Sequence, residues 1–428
     1  MIGEHMNELN GKRLLVLGGS LWKEEIKRIA SIYGITVLAT GNEQKAGIFE
    51  IADEKFSVDS TDIPAMKELI HRENVDGVYM GGSEPVIEAA SQYLEDLGLP
   101  CYCKPEQWHV LQNKSLFKKE CIKNDLPVVP QICFEDAVEM SADQYPLITK
   151  PEDGSGSNGF SICHSVEDLR IGYERAKQDS PSQHAIIEKF VNNQGHVVFY
   201  TVSDGVIYFS GLSDKYPVKY SKQESYVGGL FVYQSVFSHE FRKLFEKKIQ
   251  KMISGLGIRE GSFWIEVFHN EDNYYFNEAG FRYGGSVSIY PVNYFFGINQ
   301  VATDIYFALT GTSRIVESIS MIPTDMPRKK YYASYPVHIH PGKIDAIEGI
   351  KELEDQKNVL RILSAKSVGD VIADSGSFGQ AFGIVHFVFD DFEELKETIE
   401  QIHEKLVVND TNGKSMIHRM LDINSITL

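Results

Sequence analysis

The chain is short of cysteine and of positive charge, and it has no long apolar run. Its five cysteines (Cys101, Cys103, Cys121, Cys133 and Cys163) are few for 428 residues, odd in number and scattered. A disulfide framework is therefore not expected, and a reducing cytoplasm suits the chain best. Cys101-x-Cys103 lacks the second pair and the spacing of a zinc site, which leaves a structural thiol pair. The 42 Lys and Arg are outnumbered by 60 Asp and Glu, and no basic block relieves the net charge of −18. Nucleic acid and anionic membrane surfaces are thus not expected as partners. No apolar run approaches the roughly 18 residues of a membrane span, and the N-terminus lacks a signal-peptide core.

What is present is an ordinary globular balance, 43% hydrophobic and 24% charged, long enough for two to four domains of about 100–200 residues. Leu14-Leu15-Val16-Leu17 reads as a buried strand ending at Gly18-Gly19-Ser20. A helical pattern follows (Ile26, Ile29, Ala30, Tyr33), then a strand over Ile35 to Ala39, another over Val75 to Met80, and a helix from Glu84 to Leu97. Strand–helix–strand at this spacing predicts a parallel α/β sheet. Its Gly-Gly-Ser turn lacks the full dinucleotide fingerprint, so no NAD site is read there. From Asn113 a helix leads into a mixed region, with strands over Ala185 to Val191, His196 to Val202, Val206 to Ser210, Ser262 to His269 and Tyr274 to Glu278. The stretch from Met321 to Arg328 resembles a linker, and an α+β tail follows. The expected divisions are a tail 1–10, an α/β domain 11–112, two lobes 113–187 and 188–322, and a C-terminal domain 323–428.

The most informative stretch is Lys150-Pro151-Glu152-Asp153-Gly154-Ser155-Gly156-Ser157-Asn158-Gly159. A loop rich in Gly and Ser brings backbone N–H groups and small hydroxyls onto a phosphate, and a nearby ammonium pairs with the charge. Gly154-x-Gly156-x-x-Gly159 fits the dinucleotide fingerprint literally, but that motif needs a helix directly after it. Phe160 to His164 instead alternates apolar and polar, which predicts a second strand and a hairpin flap. An ordinary surface turn is the alternative.

Three further features bear on chemistry. Glu188, in the strand Ile186 to Val191, could accept from an adenine amino group, although a strand with one Glu is also unremarkable. Glu266 and Glu278 stand on neighbouring strands joined by Asn270-Glu271-Asp272-Asn273. Two carboxylates facing one way repel unless a divalent cation lies between them, and Mg²⁺ takes one or two carboxylates plus phosphate oxygens. The alternative is that each pairs with Lys or Arg. Arg282 can clamp an anionic oxygen. By strand alternation Asn277 should face away from Glu278. Lys215 and Lys219 read as a solvated loop after Ser210, with reach into the site as the alternative.

In this order the pieces resemble the ATP-grasp superfamily, in its carboxylate–amine ligase and biotin carboxylase-like branches, over residues from about 11 to 320. The resemblance implies an N-terminal α/β (pre-ATP-grasp) domain, a two-lobed ATP-grasp domain and a C-terminal α+β extension. It assigns Lys114 and Lys150 to phosphates, Gly154, Ser155, Gly156, Ser157 and Gly159 to the flap, and Glu188, Lys189, Phe190 and Val191 to the adenine hinge. His196 falls to the ribose, Phe268 joins the nucleotide contacts, Glu266 and Glu278 become metal ligands, and Arg282 steadies the acyl phosphate. It implies ATP with one or two Mg²⁺, or Mn²⁺ in their place, and a ligase that activates a small carboxylate for attack by an amine. Carboxylation through carboxyphosphate and an inactive ATP-binding protein are the alternatives, and related enzymes suggest a homodimer. One departure stands out: the family often reads Glu-x-Asn-x-Arg where this chain has Glu278-Ala279-Gly280-Phe281-Arg282, so an amide ligand is missing. Three weaker matches are set aside. Gly413-Lys414-Ser415 has no first P-loop glycine, Ala65-Met66-Lys67 sits in a helical pattern, and His338-x-His340 lacks companions at metal spacing.

Overall fold

A computed structural model describes residues 8–41, 47–153, 159–191, 194–220, 225–270, 273–317, 320–321 and 328–428. The N-terminal unit is a parallel sheet ordered β3-β2-β1-β4, built from β1 (Arg13–Val16), β2 (Thr36–Thr40), β3 (Glu54–Phe56) and β4 (Gly77–Tyr79). Helices α1 (Lys23–Tyr33), α2 (Ile63–Arg72) and α3 (Glu84–Leu97) connect and cover it. Continuous apolar runs such as Leu14-Leu15-Val16 form its strands because both faces are buried.

After α4 (Pro105–Gln112), Asn113 caps α5 (Lys114–Lys123) by accepting from Leu116 N at 2.9 Å. A four-stranded antiparallel lobe, ordered β5-β8-β6-β7, follows. It comprises β5 (Gln131–Ile132), α6 (Phe134–Val138), β6 (Leu147–Pro151), β7 (Ser161–Cys163), α7 (Val166–Asp179) and β8 (Ala185–Lys189). Strands β6 and β7 pair directly, with Leu147 opposite Cys163, so the segment between them joins a hairpin, as its alternation predicts. Strand β8 runs to Lys189, two residues past the expected division at 187.

The largest element is an antiparallel eight-stranded sheet ordered β13-β12-β9-β10-β11-β14-β18-β16. Its first part is β9 (Gln194–Ser203), β10 (Val206–Tyr220), β11 (Ser225–Tyr233), α8 (Ser238–Gly255), β12 (Gly261–Asn270) and β13 (Asn273–Gly280), followed by α9 (Ile289–Phe296) and α10 (Gln300–Thr310). The tail adds β14 (Tyr331–His338), β15 (Gly342–Glu348), α11 (Ile350–Glu354), β16 (Val359–Ser364), β17 (Val371–Ile372), β18 (Ala381–Phe389), α12 (Phe392–Lys405) and β19 (Val407–Asp410). The C-terminal domain is thus continuous with the second lobe: β14 pairs with β11 through Phe231↔Ser334, Val232↔Ala333 and Tyr233↔Tyr332. The expected linker lies mostly outside the described residues.

One face of the large sheet, carrying Val198, Tyr200, Phe263, Ile265 and Val267, packs on Phe241, Phe245 and Ile249 of α8. The opposite face, carrying Val197, Phe199 and Tyr233, packs on Tyr283 and on residues of α9 and α10. Among the described residues no helix is long and apolar enough to cross a membrane.

Candidate active site

The candidate residues gather where the four-stranded lobe meets the open part of the large sheet. In the small lobe, β6 and β8 pair with Ile148 opposite Glu188, which puts Lys150 and Glu188 on one face. Glu188 is 2% exposed, and both its oxygens are occupied. Lys118 donates to Oε1, and Lys150 Nζ lies 3.0 Å from Oε2. Burial opposes the Glu188 charge, but the two ammoniums prevail and hold its carboxyl below the ordinary range. The same burial, with the Lys150 charge adding to it, pushes Lys118 down to about 8. Lys118 was missed by the sequence reading; the signal was its place one helical turn after Lys114. The adenine role read for Glu188 therefore meets a carboxylate already holding two lysines.

Lys114 opens α5, and its backbone N donates to Glu152 O at 2.9 Å, tying the helix to the end of β6. Its ammonium lies 3.9 Å from Glu278, and burial lowers its pKa. Of the hinge residues, Lys189 is exposed and pairs with Leu147, Phe190 N donates to Pro146 O at 3.1 Å, and Val191 follows at the lobe's edge. Gly154, Ser155, Gly156 and Ser157 lie outside the described residues; Gly159 closes the turn ahead of β7.

In the large sheet, Glu266 on β12 and Glu278 on β13 are register partners. The pairing then slips: Val267 faces Phe276, which leaves Asn277 as a bulged residue. A bulge puts two consecutive residues against one and breaks the alternation of faces. The expectation that Asn277 points away is overturned for this reason. Its Nδ2 donates to Glu266 Oε2 at 2.7 Å, and its Oδ1 accepts from Lys150 Nζ at 2.7 Å. Phe268, half-buried and two residues beyond Glu266, stands on the same face.

For Lys215 the loop reading fails and the alternative, reach into the site, holds. Strand β10 does not stop at Ser210 but runs to Tyr220, and Lys215 donates to Glu266 Oε1. The alternative that these carboxylates pair with cations is therefore realised at Glu266. Burial opposes both charges of this pair, yet each prevails: Glu266 is held below the carboxylate range and Lys215 above the usual lysine value. Glu278 goes the other way. Burial raises its pKa, and the Glu266 charge adds to the rise against the pull of Lys114. A half-buried, raised carboxyl beside a second carboxylate is a suitable seat for a divalent ion, and Asn277 adds a nearby amide. Among the described residues no group of three or more His, Cys, Asp or Glu gathers for a metal. An ion such as Mg²⁺ takes one or two carboxylates and fills its sphere with phosphate oxygens and water.

Arg282 reaches the N-terminal unit. Its Nε donates to Glu84 Oε1 at 3.0 Å, its Nη2 donates to the same oxygen, and its Nη1 donates to Tyr283 O at 2.8 Å. The guanidinium carbon lies 5.4 Å from the centre of the Trp264 ring. Trp264 also explains Gly280, its register partner. A Cβ at position 280 would stand 2.4 Å from Trp264 Cε2, so an asparagine there and the indole exclude one another.

His196 is corrected outright. Its register partner is Val267, not Glu266, so it occupies the face opposite the carboxylates. It is fully buried, with Nδ1 2.8 Å from Asp214 Oδ1 and its ring 5.3 Å from Phe237 and 6.4 Å from Tyr274. A ribose cannot reach it there.

Comparison with known proteins agrees with this architecture. Residues 337–409 match the family described as L-amino acid ligase C-terminal domain 2. The chain is 26% identical over 298 residues to a formate-dependent phosphoribosylglycinamide formyltransferase of Aliivibrio fischeri, covering 66% of this chain and 72% of that one. An L-amino acid ligase from Bacillus licheniformis superposes with a TM-score of 0.73 at 20% identity, over 94% of this chain and 100% of the other. These likenesses agree in fold with the ATP-grasp resemblance read from the sequence. The biotin carboxylase domain of Hydrogenobacter thermophilus 2-oxoglutarate carboxylase, solved with MgADP and bicarbonate, also gives a TM-score of 0.73. Its identity is 18%, over 93% of this chain and 90% of that one.

Proposed function

We propose that this protein is an ATP-dependent, ADP-forming carboxylate–amine ligase of the ATP-grasp superfamily. The observation that carries the reading is the convergence of Lys114 and Lys150 on the Glu266–Glu278 pair at the junction of two sheets, Lys114 lying 3.9 Å from Glu278 and Lys150 reaching Glu266 through Asn277. ATP lies with its phosphates toward Lys114 and Lys150, whose charges offset those that build up as the γ-phosphoryl group moves. Glu188 keeps Lys118 and Lys150 at fixed positions, and the backbone of 189–191 with Phe268 borders the base. Glu278, with Glu266 beside it, would hold Mg²⁺ or Mn²⁺, which supplies charge neutralisation to the phosphates. The substrate carboxylate attacks the γ-phosphorus, forming an acyl phosphate and releasing ADP. The amine then forms the C–N bond as the C–O bond to phosphate breaks. Arg282, fixed by Glu84 and Trp264, steadies the carboxylate and its phosphate. The sequence of 154–159, rich in Gly and Ser, suits a phosphate-binding loop, and exclusion of water at the phosphates would protect the acyl phosphate from hydrolysis.

The carboxylase alternative drew on the stretch through His196, and the burial of His196 removes that support. The inactive alternative drew on Gly280, for which Trp264 supplies a packing reason. A cytoplasmic homodimer with no nucleic-acid or membrane partner completes the proposal.

The experiment is ADP release from Mg·ATP against pools of amino acids and small carboxylates, with and without bicarbonate. Release that depends on the amine–carboxylate pool supports the ligase, and release that follows bicarbonate moves the assignment to carboxylation. Glu278→Gln should abolish that turnover; wild-type turnover in this variant would mean that the metal is held elsewhere.

A further inference from the structure

The two carboxylates of the site are not equally available. Glu266 Oε1 accepts from the Lys215 ammonium and Oε2 from the Asn277 amide. Glu278 has, among the described residues, a single ammonium within 4.0 Å, that of Lys114 at 3.9 Å. Lys215 is not a neighbour of Glu266 along the sheet. It stands on β10, and β9 separates it from β12.

The lysine crosses β9 at Gly195, its register partner, which also pairs with Phe268 of β12. A Cβ at Gly195 would meet Lys215 Cβ at 3.4 Å and Cδ at 3.6 Å, so the lysine stem lies along the space that glycine leaves. The crossing is built into two strands, and Asn277 fixes the other side of the same carboxylate.

The consequence follows from occupancy. Both oxygens of Glu266 are taken by Lys215 and Asn277, whereas Glu278 has only a long ion pair to Lys114 at 3.9 Å among the described residues, which leaves it the more available carboxylate. A metal ion bridging both carboxylates would have to displace an ammonium that the sheet holds in place. We propose that Lys215 is the site's own second cation: it remains on Glu266, while one divalent ion binds through Glu278 and the nucleotide phosphates. This rests on the ATP-grasp ligase reading given above and specifies its metal stoichiometry.

The test uses the full-length protein saturated with AMP-PNP, a non-hydrolysable ATP analogue, with its binding checked by calorimetry. Mn²⁺ is then titrated and counted by electron paramagnetic resonance, with Glu278→Gln as the reference for ions bound elsewhere on an acidic surface. The wild type should hold one Mn²⁺ per chain above that reference. Lys215→Met, with Lys215→Gln as a second variant in case the first misfolds, should hold two. Two ions in the wild type overturn the proposal while leaving the ligase reading intact. One ion in both variants, with AMP-PNP still bound, overturns the part given to Lys215. Failure of AMP-PNP to bind the folded wild type overturns both the nucleotide reading and the proposal.

Discussion

Lys118→Met tests the buried charge network most directly. Lys118 is 3% exposed, and Glu188, whose Oε1 it holds, is 2% exposed. Removing one partner of a buried ion pair typically costs about 3–5 kcal/mol, because the other charge is left without compensation. Lys150 stays 3.0 Å from Oε2, so the lower end, about 3 kcal/mol, applies. The loss should be confined to the lobe that contains β6 and β8, and native-state hydrogen exchange of their amides reads it locally. At about 1.4 kcal/mol per factor of ten, exchange through sub-global opening should accelerate on the order of a hundredfold. The measurement belongs at pH 7, below the value of about 8 to which burial pushes Lys118, so that the wild-type ammonium is charged. The double variant Lys118→Met/Glu188→Gln removes the stranded charge and should recover about half the loss or more. The pH dependence has a definite sign. The Glu188 carboxyl is depressed, so its stabilisation is complete above the ordinary carboxylate range and disappears as pH falls through its folded value. The difference between variant and wild type should therefore shrink in acid. A single variant that loses less than about 1 kcal/mol, or a double variant whose loss is the sum of the singles, would refute the coupling.

The remaining predictions concern other residues. His196→Gln should lower the melting temperature yet leave MgADP affinity unchanged in calorimetry, because His196 faces α8; a loss of about tenfold, or 1.4 kcal/mol, would return it to the nucleotide site. Gly280→Ala should destabilise by about 1–3 kcal/mol through overpacking against Trp264, and adding Trp264→Leu should relieve it in thermal melts. Asp304, which accepts from Tyr283 Oη, has a carboxyl raised by burial to about 7. A raised acid binds more protons folded than unfolded, so its cost to stability grows from about pH 4 and is complete above pH 7. Asp304→Asn should therefore raise the melting temperature more at pH 8 than at pH 5, and equal shifts would refute the assignment.

The sequence was most informative where residue type alone decides. Lys150, Glu188, Glu266 and Glu278 stood out as charged residues on apolar strands, Lys114 came with the family resemblance, and the structure brings these five around one junction, while Arg282 turns to Glu84. It was least informative about which face a side chain takes. Along His196-Val197-Val198-Phe199-Tyr200 both faces of β9 are buried, so the alternation that would reveal the phase is absent. Asn277 was misplaced because a bulge is a property of the pairing, and nothing in Phe276-Asn277-Glu278 marks it. Lys215 was read as a loop residue because Gly211 and the polar pair Ser213-Asp214 interrupt the apolar pattern, although β10 continues through them. Gly280 looked like a missing ligand until its partner across the sheet was known to be Trp264.

The seam between β11 and β14 has a consequence for how such chains can be recombined. Three pairs, at Tyr332, Ala333 and Ser334, stitch the tail to the second lobe, and they lie just before the matched C-terminal family segment, which begins at 337. Exchanging 337 onward for the equivalent part of a relative would leave that stitching in place and expose no unpaired strand at the join. Cutting a few residues earlier would strip the edge of β11 and invite edge-to-edge association. The end of β14 is thus a natural graft point, where the tail can diverge while the residues that would hold nucleotide and metal stay in register.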